Sequence, residues 1–98
     1  MAETIDELTV NYSEEGVLVR KELDKQILSK GAWSTVIYRY QDWLRQKETY
    51  GPDKYMINRY QKVAGQYKQR SKFNISSKAQ AQSIIAALEK WIADSPAD

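Results

Sequence analysis

The clearest alternation in the chain runs from Trp33 to Leu44, WSTVIYRYQDWL. It is dense in β-branched and aromatic residues, which pack well on a pleated surface. Val36, Tyr38, Tyr40 and Leu44 share one phase, and Trp33, Ile37, Arg39, Gln41 and Trp43 share the other. The stretch is expected to be a strand. Gly51-Pro52 punctuates the chain after it. Lys54 to Val63 reads as the next strand, Ala64-Gly65 as a tight turn, and Gln66 to Ser76 as the returning arm of a hairpin. Val17 to Leu28 fits two periods. GVLVRKEL alternates as a strand does, while Val19, Leu23 and Ile27 fall at helical spacing. The turn-like LSKGAW that follows favours one strand or two short ones.

The period then changes from two to 3.6. Ala81, Ile84, Ile85, Leu88, Trp91 and Ile92 form an apolar helical stripe. Ser77 with Gln80 three residues on fits a capping box, and Asp94-Ser95-Pro96 ends the segment, so a helix is expected over about 77–93. Strands followed by one helix indicate an α+β fold: an antiparallel twisted sheet of about four strands and one C-terminal amphipathic helix. The helix stripe is expected to cover one sheet face. Residues 1–15 have few apolar groups and read as an acidic flexible tail, with Ile5, Leu8 and Val10 available for a short contact. Residues 16–95 form the single domain.

Charge changes this picture more than composition does. The net charge is only +2. Yet residues 1–15 hold Glu3, Asp6, Glu7, Glu14 and Glu15 and no base, while residues 54–88 hold Lys54, Arg59, Lys62, Lys68, Arg70, Lys72 and Lys78 and no acid. A one-sided positive field attracts polyanions. In a strand, Lys68, Arg70 and Lys72 project from one face, roughly 6.5–7 Å apart. Tyr67, Phe73 and Ile75 then face the helix. Arg39, Arg59 and Lys62 are candidates for the same open face, and Tyr60 and Trp43 lie beside them as flat groups on which bases can stack.

The stretch VIYRYQDW resembles the central strand of the positive-cofactor-four-like transcriptional coactivators, where an arginine shortly precedes a tryptophan. RSKFNISSKAQAQSIIAAL is similar to that family's last strand running into its helix. The resemblance implies a homodimer joined through C-terminal helices, with curved sheets that grip single-stranded or melted DNA. It implies a phosphate-contacting role for Arg39, a stacking role for Trp43, and basic contacts from Lys72 and Arg70. Arg39 and Trp43 stand four apart here rather than three, and Asn74 replaces the family's glycine.

Chemistry of other kinds finds little footing. The chain has no histidine and no cysteine, so the commonest general base, the commonest metal ligand and every thiolate are missing. No glycine-rich phosphate loop occurs. No apolar run is long enough for a membrane helix, and MAETIDELTV lacks the pattern of a secretory leader. The expectation is a non-enzymatic, cytoplasmic protein without cofactor, metal, membrane or small-molecule substrate, whose partner is single-stranded DNA or RNA. The competing reading is a protein-interaction or structural adaptor. Ile84, Leu88 and Trp91 are the candidate surface for a second copy in the first reading and for another protein in the second.

Overall fold

Side-chain burial alternates along the middle of the chain, and the alternation builds a curled antiparallel sheet. The structure, a computed structural model, describes residues 3–95. The strands are β1 (Tyr12–Glu14), β2 (Val17–Ser29), β3 (Trp33–Leu44), β4 (Thr49–Tyr50), β5 (Lys54–Val63) and β6 (Gln66–Ile75). Helix α1 (Lys78–Asp94) follows. The order across the sheet is β1-β2-β3-β5-β6, with β4 pairing the end of β3. The fold is α+β as expected, with more strands than expected. The ambiguous stretch after Val17 is one long strand, broken in register near Leu23 and Leu28.

Two hairpins turn in the same way. Glu15-Gly16 links Glu14 to Val17, and Ala64-Gly65 links Val63 to Gln66. Both residues of each loop have positive φ, 50° and 80° in the first and 53° and 79° in the second. That combination matches the right-handed twist of the flanking strands.

One sheet face, here called face A, carries Val36, Tyr38, Tyr40, Met56, Asn58, Tyr60 and Tyr67, all buried. It is not the helix that covers them. Ile5 and Leu8, at either end of a 3-10 turn (Ile5–Glu7), pack with Val36, Tyr38, Tyr60 and Tyr67 to form the core cluster. The segment expected as a flexible tail is therefore docked across face A. Its few apolar groups suffice because the sheet offers a ready row of rings. Lys25 Nζ donates to the carbonyls of Ile5, Asp6 and Leu8 (3.4, 2.8 and 2.6 Å). The Glu22 carboxylate accepts from Thr9 Oγ1 and the Val10 amide (2.8 and 3.4 Å). Within the turn, Thr4 donates through Oγ1 and its amide to Glu7 Oε1, and these bonds hold the Glu7 carboxyl below its ordinary range.

The opposite face, face B, carries Ile37, Tyr55, Ile57 and Ile75. Helix α1 starts where β6 ends. The Ser77 hydroxyl caps it by accepting from the Gln80 amide (3.1 Å), while Gln80 Oε1 accepts from the Ser76 amide (2.8 Å). No helix residue is buried. The stripe meets face B only across an open groove of about 490 Å³, lined by Ile37, Tyr55, Ile57 and Ile75 on the sheet and by Ile84 and Leu88 on the helix. The expectation that the stripe closes over the sheet is corrected: Leu88 is 49% exposed and Trp91 67%. The radius of gyration, 15.8 Å, exceeds the roughly 13 Å of a compact chain this long.

Candidate nucleic-acid interface

An extra residue in β6 decides where the cations point. Arg59 pairs with Ser71 and Tyr60 with Gln69, so Arg70 is unmatched on β5. Such a bulge shifts the alternation by one residue. Lys68 lies opposite Gln61 and shares face B, whereas Lys72 lies opposite Asn58 and shares face A. The expected single row Lys68–Arg70–Lys72 is thus split between the two faces. The same bulge separates the expected apolar row. Tyr67 is in the core under the N-terminal segment, Ile75 lines the groove, and Phe73 is exposed.

What remains together is a patch at the hairpin end of face B. The Arg59 guanidinium lies over the Trp33 ring, 4.9 Å from its centroid. Thr35 on β3 pairs with Arg59, and Trp33 pairs with Gln61. Arg70 Nε donates to Gln61 Oε1 (3.0 Å), and Lys68 is the register partner of the same Gln61. Trp33 is 44% exposed, whereas exposed Phe73 pairs with Ile57 and lies outside this patch, toward the helix end of β6. Around the edge, Lys62 sits over the Tyr67 ring at 5.3 Å. Among the described residues, Arg59, Lys62, Lys68, Arg70 and Lys72 form no ion pair with a carboxylate. The physical cause is the absence of acids from residues 54–88.

The other expected residues stand apart from this patch. Arg39 shares face B but lies toward the opposite end, 3.7 Å from the Asp53 carboxylate. Trp43 packs edge-on against Tyr50, ring centroids 5.0 Å apart, next to β4. Tyr60 is corrected outright. It is buried, with its hydroxyl 2.8 Å from that of Tyr38 and accepting from Asn58 Nδ2 (3.0 Å), so its ring offers no stacking surface while Ile5 and Leu8 lie across this face. Burial, then the Tyr60 hydrogen bond, pushes the Tyr38 hydroxyl far above its ordinary pKa. Trp33 is not among the residues expected at the site; its phase, shared with Arg39 and Ile37 and opposite to Tyr38, is the signal the sequence offers for it.

Chemically, the patch presents cations without carboxylate partners beside the accessible ring of Trp33. The described residues include no cluster of acids fit to hold a metal ion. No helix among them is long and apolar enough to cross a membrane. Compared with known proteins, the chain matches no family model, no curated protein and no solved structure.

Proposed function

We propose that this protein binds single-stranded nucleic acid with little sequence specificity, as a homodimer and in the manner of a coactivator-like transcription regulator. One observation carries the reading. Arg59 lies over exposed Trp33, Lys68 and Arg70 flank Gln61 on the adjoining strand, and none of the three has a carboxylate partner among the described residues. Cations follow a phosphate backbone and rings stack on bases without reading their edges. Fluorescence anisotropy with labelled oligo-dT tests this. Binding at low salt that weakens steeply as salt rises supports it. No binding at low salt, or binding indifferent to salt, removes it.

The homodimer rests on the uncovered helix. The apolar stripe continues through Trp91 and Ile92, one turn beyond the groove on the same chain. A groove and a protruding apolar helix end on one surface suit a two-fold pairing, in which each copy fills the other. The occupant of the groove is then a second copy of this chain. Light scattering tests it: a dimer that Trp91→Ala converts to monomer supports the pairing. A monomer in both forms leaves the groove to another protein's helix, which is the adaptor reading.

A further inference from the structure

The N-terminal segment covers a surface with the same chemistry as the patch on face B. We propose that face A is a second binding surface for single-stranded nucleic acid, occupied by the acidic segment 3–14 until a strand displaces it. The inference rests on the nucleic-acid reading above.

The segment is a poor fit to what it covers. Asn58 is 2% exposed, and its Oδ1 accepts no hydrogen bond. A buried amide oxygen without a donor disfavours the state that buries it. A depression of about 210 Å³, open to solvent, separates Thr9–Tyr12 from the sheet residues Asn58, Gln69 and Lys72. The Lys25 ammonium meets three carbonyl oxygens and no carboxylate among the described residues. Beneath the segment lie the rings of Tyr38, Tyr60 and Tyr67, with Lys25, Lys62 and Lys72 around them. Rings bordered by cations are what a single strand binds. The cover carries Glu3, Asp6, Glu7 and Glu14, so one negatively charged chain stands where another would lie.

Its anchorage is mostly polar and open to competition from water and ions. Ile5 and Leu8 are its only buried side chains, and its one stretch of sheet pairing is the three-residue β1. Lys25, Glu22 and the exposed Arg45–Glu14 ion pair supply the rest. A ligand that binds only the uncovered face gains apparent affinity in proportion to the fraction uncovered.

Hydrogen exchange of the full chain at low salt, with and without oligo-dT, tests the proposal. The expected result is faster exchange at residues 5–13 when oligo-dT binds. In parallel, Leu8→Ala, which loosens the cover while leaving the rings and cations in place, should bind oligo-dT about tenfold more tightly. Should Leu8→Ala fail to fold, the exchange result on the unaltered protein decides alone. Oligo-dT binding with unchanged or slower exchange at 5–13 overturns this inference and leaves the face B patch standing. Displacement by poly-glutamate but not by oligo-dT overturns the ligand class. If oligo-dT binds neither form, both readings fall together.

Discussion

Replacing Arg59, Lys68 and Arg70 together by alanine isolates the electrostatic part of the proposed grip. Along β5 and β6, Arg59, Lys62, Lys68, Arg70 and Lys72 are five cations without a carboxylate partner among the described residues. Each phosphate they neutralise on a single strand contributes about −0.7 to the slope of log K against log salt, so five give about −3.5. Affinity should then fall about 100-fold between 50 and 200 mM salt. With three removed, the slope is about −1.4 and the fall about sevenfold over the same range. Folding should hardly notice. Arg70 donates one exposed hydrogen bond to Gln61, and Arg59 gives up a ring contact of about 0.5–1 kcal/mol. Anisotropy titrations at four salt concentrations give the slopes, and urea unfolding gives the stability. An unchanged slope would refute the placement of phosphates along this patch. A loss well above about 1.5 kcal/mol would mean these side chains hold the fold rather than face a ligand.

Tyr60→Phe removes the hydroxyl that accepts from Asn58 and bonds Tyr38. It should cost about 2–4 kcal/mol in urea unfolding, because two buried polar groups lose a partner. Adding Asn58→Leu should recover part of the loss, and no recovery would show that the network is not the cause. Ala64→Asn places a residue tolerant of positive φ where alanine is strained, and should stabilise by about 0.5–1 kcal/mol. A loss of stability would contradict the turn geometry. The Tyr38 hydroxyl is pushed above its ordinary value of 10.0 by burial and then by Tyr60, so the folded chain holds that proton more tightly than the unfolded one. Its contribution is complete below about pH 10 and declines above it, by about 1.4 kcal/mol per pH unit. Urea midpoints from pH 9 to 11 should therefore fall more steeply for the unaltered protein than for Tyr38→Phe; equal slopes would refute this.

The strands and the helix were legible because their periods are plain. WSTVIYRYQDWL alternates throughout, and the stripe from Ala81 to Ile92 keeps helical spacing. The long β2 was half legible, because its bulges disrupt the alternation that would distinguish strand from helix. A short contact from Ile5 and Leu8 was legible, but its place in the main core was not. Two apolar residues in an acidic stretch become a core contact only once Tyr38, Tyr60 and Tyr67 have been brought together by pairing distant in sequence. For the candidate site, the charge separation was visible and survives as unpaired cations. Their direction was not visible, since alternation assumes an unbroken ladder and nothing about QYKQRSKFNIS announces an additional residue at Arg70. Tyr60 failed as a stacking group for a related reason: its neighbour Arg59 marks a basic segment, but consecutive strand residues face opposite ways.

The irregularity at Arg70 gives the outermost strand an unusual property. A rim with every positive group on one side guides a polymer along that side alone. Here Lys68 and Lys72 flank the rim from above and below, with Arg70 at the crossing. A flexible backbone drawn to all three must fold over the border of the sheet, which a stiff duplex resists and an unpaired strand does readily. Under the proposed nucleic-acid function, discrimination between the two forms would originate in bending, with no base being read.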